Sequence, residues 1–222
     1  MYVTIHAIAV RPLSLRQNHW RQISQNHHKH WLTSAAKNHR PSSVSNMSKA
    51  QAKAAAVLAE VQELPELVVF DLDYTLWPFW CEMYTTCDEP KLFPEARGVM
   101  EALKDSGVPM ALASRTPTPE VARAFLQKLG LSKGMFVSQQ LIPASSGFDH
   151  NSAQKDVRHF PAIQKETGIS YNRMLFYDDE DTNVHRVSKL GVTSVLVSTS
   201  EGVSVKTLRQ GLQAYSKQDR SR

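Results

Sequence analysis

Four carboxylates carry most of the chemistry open to this sequence. Asp71 and Asp73 follow the apolar run Leu67-Val-Val-Phe70 in the segment Asp71-Leu72-Asp73-Tyr74-Thr75. Residues two apart in extended chain face the same side, so this spacing aims both carboxylates into one crevice. Two anions there call for a cation. A second acidic pair, Asp178-Asp179, follows the apolar run Met174-Leu-Phe-Tyr177. Oxygen ligands of this kind suit a hard Mg²⁺ that keeps several of its waters. Taken alone, Asp-x-Asp is explained as well by a turn or a helix cap; the second pair at another strand end tips the reading toward a metal.

Positioning these groups requires strands that end in polar residues. Besides the two runs above, Val108-Pro-Met-Ala-Leu-Ala113 leads into Ser114, Val192-Thr-Ser-Val-Leu-Val197 leads into Ser198, and Met135-Phe-Val137 is a weaker fifth. Runs apolar on both faces suit a parallel sheet covered by helices on each side. Helical stretches lie between them: Glu95 to Ser106, Pro117 to Leu129 and Asp181 to Leu190, each stopped by a glycine, Gly107, Gly130 and Gly191. The alternation predicts an α/β fold, a doubly wound parallel sheet of about five strands. Such sheets bind ligands at the carboxyl ends of their strands, where Asp71, Ser114 and Asp178-Asp179 fall.

Composition narrows the classes. The chain has 222 residues, 41% of them hydrophobic and 21% charged, and no apolar run reaches the roughly 18 residues of a membrane span. Seven of the 26 basic residues and none of the 21 acidic ones lie in the first 50, so the net charge of +5 becomes −2 in the remainder. The body therefore shows no electrostatic footprint for nucleic acid. Residues 1–50, rich in Ser, Asn, Gln and in six of the nine His, have the composition of an organellar presequence or a disordered arm. A reading in which Met47 opens the folded protein competes with it. The expected organisation is a 1–50 extension, a short helix and linker over 51–64, a catalytic domain over 65–217 and a loose end over 218–222. The expected location is the cytoplasm, or a mitochondrion or chloroplast if the extension is a presequence. Cys81 and Cys87 lack the C-x-x-C spacing of a zinc or redox site.

In its motifs the sequence resembles the haloacid dehalogenase superfamily, and within it the magnesium-dependent phosphatase-1-like family. The matching segments are Asp71-x-Asp73-x-Thr75 with Leu76-Trp77-Pro78, Ala113-Ser114-Arg115-Thr116, Lys155, and Phe176-Tyr177-Asp178-Asp179-Glu180 with Asn183, spanning about 66 to 200. The resemblance implies a Mg²⁺-dependent phosphatase with a minimal cap, working through an aspartyl phosphate on Asp71. It gives Asp73 the roles of general acid and base, and its backbone carbonyl that of a metal ligand. It places Asp71, Asp73, Asp179 and Asp178 around the metal, with Asp179 ranked before Asp178. Thr75, Ser114, Arg115 and Lys155 fall to the phosphoryl group, and Asn183 reads either as orienting Lys155 or a metal-bound water or as a simple surface residue in the first turn of a helix. Ser114 and Thr116 have a competing role as helix caps, and Lys133 and Lys165 are the substitutes for Lys155. Trp77, Trp80 and Tyr84 read either as an aromatic lip or as anchors of the loop.

With so short a stretch between Leu76 and Pro94, the site is expected to be open. Phosphorylated small molecules or phosphoproteins, including aryl phosphates, phosphotyrosine and phosphosugars, are then the substrate classes. Rival chemistries separate on sequence. A cysteine-dependent phosphatase needs Cys-x5-Arg, but Cys87 and Phe93 occupy those positions. A carbon-halogen hydrolase works without Mg²⁺, so the general acid Asp73 and the paired acids Asp178-Asp179 argue against it. A receiver domain carries its acidic pair first and its phosphorylated Asp later, the reverse of this order. An inactive scaffold that keeps the motifs is the alternative from a different class.

Overall fold

A computed structural model describes residues 47–131, 134–143 and 154–218. The chain divides between Asn46 and Met47, and the elements below belong to the unit that starts at Met47. The expected extension lies, up to residue 46, outside the described residues, as do Lys133 and residues 219–222.

The elements are α1 (Lys49–Ala59), β1 (Leu67–Phe70), α2 (Ala96–Asp105), β2 (Met110–Ser114), α3 (Pro119–Lys128), β3 (Ser138–Leu141), α4 (Phe160–Thr167), β4 (Met174–Asp178), α5 (Asp181–Ser188), β5 (Thr193–Leu196) and α6 (Val205–Lys217). All strand pairs are parallel, in the order β3-β2-β1-β4-β5. The chain winds outward from β1 through β2 to β3, then returns to β4 and β5 on the other flank. The crevice of such a fold opens where the winding reverses, between β1 and β4. Phe70 is in register with Tyr177 there, which sets Asp71 beside Asp178.

Strand periodicity divides the core in two. Val68, Phe70, Met110, Leu112, Leu175 and Tyr177 face a large cluster that includes Val57, Leu58, Val99, Leu103, Phe125, Leu208 and Leu212. Leu67, Val69, Ala111, Ala113, Met174 and Phe176 face a smaller one closed by Phe160, Ile163 and Val187. So α1, α2, α3 and α6 cover one face, and α4 and α5 the other. Every residue of β1 is fully buried; at about 1.5–3 kcal/mol per large side chain, this central strand is a principal contributor to stability.

Three features depart from the sequence expectation. The fifth strand is Ser138–Leu141, not Met135–Val137. At the sheet edge only one neighbour sets the register, Ala111 with Ser138 through Ser114 with Leu141, and half-buried Gln139 and Gln140 are tolerated while Val137 is exposed. The helix expected as a linker is part of the body, with Ala54, Val57 and Leu58 buried and Ser48 accepting the Gln51 N–H as its cap. Lastly, α6 has no counterpart among the expected elements. Ser204 and Thr207 form its capping box, and Gly211 packs so close to the sheet that a Cβ there would lie 2.3 Å from the Tyr177 hydroxyl.

Candidate active site

Three strand ends build the floor. The Asp71 N–H donates to the Tyr177 carbonyl at 3.0 Å, extending the β1–β4 ladder one residue past Phe70. One carboxylate oxygen from each of Asp71, Asp178 and Asp179 lies within 4.8 Å of the others. Between the first two sits Lys155, its Nζ 2.7 Å from Asp71 Oδ1 and 2.5 Å from Asp178 Oδ2. A turn of π-helix, Lys155–His159, delivers it directly ahead of α4, and its ammonium also lies 5.6 Å from the Phe176 ring centre. Lys165, by contrast, is exposed on α4.

All three charges of this triad are buried, Asp178 and Lys155 almost completely. Burial opposes the Lys155 charge, but Asp178 and Asp71 outweigh it and its pKa rises. For Asp71 burial is again the largest influence; Lys155 counters it, Asp178 adds to it, and the carboxyl stands well above its ordinary range. Burial, with Asp178 behind it, pushes Asp179 up to about 6. Three carboxylates facing one ammonium leave an excess of negative charge among hard oxygen donors. That donor set fits Mg²⁺.

Asn183 differs from expectation. Its Nδ2 donates to both Asp178 oxygens, at 3.1 and 3.2 Å, and to Glu180 at 3.0 Å. It therefore orients Asp178, and the Glu180 N–H completes the hold on Asp178 Oδ1 at 2.8 Å.

Beyond Asp71 the chain turns. The N–H groups of Thr75, Leu76 and Trp77 converge on the Leu72 carbonyl, and Tyr74 takes a φ of 52°, rare for a residue with a side chain. Extended-chain parity therefore fails after Asp73. The Asp73 carboxylate does not join the metal cluster but accepts the Trp77 indole N–H at 2.6 Å and the Cys81 N–H at 3.2 Å, both on Oδ1. Burial raises its pKa while those two donors hold it back. Thr75 is fully buried, its hydroxyl has no hydrogen-bond partner among the described residues, and it is not part of the cleft lining.

Opposite, Ser114 closes β2 with its hydroxyl accepting the Thr116 N–H at 3.3 Å. It is no helix cap, because α3 begins only at Pro119. Thr116 Oγ1 takes the Thr118 N–H at 3.2 Å and lies 2.8 Å from Cys81 Sγ. The Ser114 carbonyl accepts from His159 Nε2 at 2.9 Å. Burial holds His159 down to about 4, so the imidazole is neutral. Arg115 leaves the floor and pairs with Glu180 at the rim.

The cleft above these groups has a volume of about 260 Å³. Between Phe70 and Ala96 the chain forms only a short 3-10 turn, Cys81–Met83. Trp80 is 54% exposed and lines the cleft with Glu82. Tyr84 is exposed and packs on Phe79, whereas Trp77 is wholly buried and belongs to the core. Of the aromatic lip, Trp80 alone borders the cleft.

The segments 63–91 and 85–218 match the family model described as acid phosphatase. Over 171 residues the chain is 38% identical to human magnesium-dependent phosphatase 1, covering 69% of this chain and 89% of that protein. The chain belongs to the magnesium-dependent phosphatase-1-like family. A HAD-like hydrolase superfamily protein of Schizosaccharomyces pombe is 35% identical over 150 residues, covering 59% of this chain and 84% of the relative. A haloacid dehalogenase-superfamily hydrolase from Ehrlichia chaffeensis shares the fold, with a TM-score of 0.53 at 13% identity, over 71% of this chain and all of that one. As a magnesium-dependent phosphatase-1-like protein the chain is a Mg²⁺-dependent phosphatase, and the acidic cluster at its strand ends fits that metal.

Some contacts at this phosphatase-1-like site were not revealed by motif spacing. Trp77 and Cys81 as donors to Asp73, His159 as donor to Ser114, and Glu180 as partner of Arg115 and Asn183 had at most the four-residue spacing of Asp73 and Trp77 as a signal.

Proposed function

We propose that this phosphatase hydrolyses phosphate monoesters through a covalent phosphate on Asp71, with Asp73 as the proton-transfer group. The observation that carries the proposal is the junction of Asp71, Lys155 and Asp178 at the base of the cleft, with ion-pair distances of 2.7 and 2.5 Å. A carboxylate oxygen of Asp71 attacks phosphorus in line, and the ester oxygen departs with a proton from Asp73. Water then attacks the acyl phosphate and gives its proton back to Asp73, releasing phosphate and restoring Asp71. Lys155 supplies a fixed positive charge beside the nucleophile, and Ser114 a hydroxyl for a phosphoryl oxygen. Asp71, Asp178 and Asp179, with the Asp73 carbonyl, would hold Mg²⁺, which when bound offsets repulsion between the carboxylate and the dianionic ester.

The low rim supports a substrate range of bulky esters, such as aryl phosphates, phosphotyrosine and phosphosugars, since no cap domain encloses a small metabolite among the described residues. Trp80 offers such substrates an exposed ring at the cleft mouth.

Hydrolysis of p-nitrophenyl phosphate tests the reading. Asp71→Asn is expected to lower kcat by at least about 1000-fold, and acid quenching of the wild type with ³²P-labelled ester is expected to leave label on the protein but none on this variant. Undiminished turnover by Asp71→Asn would refute the covalent route.

A further inference from the structure

We infer that Trp77 is a positioning residue for proton transfer: its indole N–H, presented from the core, occupies one oxygen of Asp73 and leaves the other to exchange a proton with the substrate. The inference rests on the role proposed above for Asp73.

The geometry is asymmetric in a way that chemistry can use. Oδ1 of Asp73 accepts from Trp77 Nε1 at 2.6 Å and from the Cys81 N–H at 3.2 Å. Among the described residues Oδ2 has only the Cys81 thiol, at 3.8 Å. An oxygen that accepts two N–H donors has little capacity left to carry a proton, so the acidic hydrogen belongs on Oδ2. Without the indole, the carboxyl rotates more freely about its last bond and presents either oxygen.

Trp77 is held for this task from several sides. It is fully buried, stacked on Phe79 with centroids 5.6 Å apart and planes 6° apart, and met edge-on by Phe125 at 6.0 Å. These contacts fix the ring plane and hence the direction of the N–H. A tryptophan buried among apolar rings must still find an acceptor for that N–H. The strained turn at Tyr74 brings Asp73 within its reach, four residues back. A carboxylate fixed by a group that is itself locked by packing is the arrangement that preorganised proton transfer requires.

If the ring were core filler and the bond incidental, loss of Trp77 would slow every substrate alike. Protonation of the departing oxygen matters most for a poor leaving group, so kcat/KM across esters with different leaving groups separates the two cases. Trp77→Phe keeps an aromatic ring and deletes the donor. Trp77→His keeps a ring N–H at the position of Nε1 and deletes the bulk. Trp77→Phe is expected to lose about threefold or less on p-nitrophenyl phosphate and more than about tenfold on an alkyl phosphate. Trp77→His is expected to show the wild-type ratio between these substrates, even with a lower Tm.

Equal losses on both esters in Trp77→Phe, or a steepened ratio in Trp77→His, would overturn the inference. Should Trp77→Phe not accumulate folded, the ratio in Trp77→His decides alone. Asp73→Asn measured beside them separates the two levels. A flat profile in Asp73→Asn removes the acid role and the inference with it; a steep one there with a flat one in Trp77→Phe removes only the inference.

Discussion

The floor and the rim of the cleft use the same kinds of charged residue under opposite conditions. Lys155, Asp71 and Asp178 are at most 10% exposed at their side chains, whereas Arg115 and Glu180 at the rim are 32% and 51% exposed. In the floor each charge depends on its neighbours, because an unpaired ion in a dry site costs several kcal/mol. At the rim, water screens the pair and its removal costs little. On the mechanism proposed above, the groups that every turnover would use are built where change is expensive, and those that would vary between substrates where change is cheap.

The largest test of that contrast is Lys155→Met. It leaves two carboxylates facing each other in a buried site and is expected to cost about 3–5 kcal/mol in urea unfolding with chelator present. Mg²⁺ is expected to restore more stability to this variant than to wild type, since the ion takes over part of the missing charge. Equal stability of wild type and variant without metal would mean that the floor is no more coupled than the rim.

A second test concerns the imidazole behind Ser114. His159 titrates at about 4 in the folded protein against an ordinary 6.5, so the unfolded chain binds the additional proton between these values. The stability from the neutral ring is present above pH 6.5 and is lost as pH falls from 6.5 toward 4, by up to roughly 3 kcal/mol at about 1.4 kcal/mol per tenfold. The raised Asp179 carboxyl works in the opposite direction over part of that range. The difference between wild type and His159→Gln, which keeps a donor and cannot titrate, isolates the imidazole: the variant should lose less stability on acidification. Parallel stability curves for the two proteins would count against a buried neutral ring.

The smallest effect belongs to the rim. Arg115→Ala is expected to change stability by less than about 0.5 kcal/mol and to raise KM for a bulky ester while leaving kcat within about twofold. A loss of kcat comparable to that of Lys155→Met would erase the distinction between floor and rim.

The two central strands were legible because burial on both faces leaves an unbroken apolar run. The edge strand β3 was not, since its place is set by pairing with β2 and three of its four residues are polar. The acids at the strand ends are local motifs and showed directly. Lys155 entered only through the family resemblance, because its partners Asp71 and Asp178 are 84 and 23 positions away in sequence. Thr75 too entered through the resemblance, and nothing in its spacing told that its side chain is buried just past the turn at Tyr74. The link from Trp77 to Asp73 was hidden by the type of residue, as a tryptophan in an apolar stretch reads as core, and it is core while also serving the cleft.

Gly211 on α6 has no side chain to bond with, yet that absence makes room for the ring of Tyr177, the residue just before Asp178. A single methyl added to the outer helix would press on that ring and, through one peptide unit, on an acid of the metal cluster. Damage to catalysis can thus originate on the far side of the sheet, where the only thing lost is a vacant space.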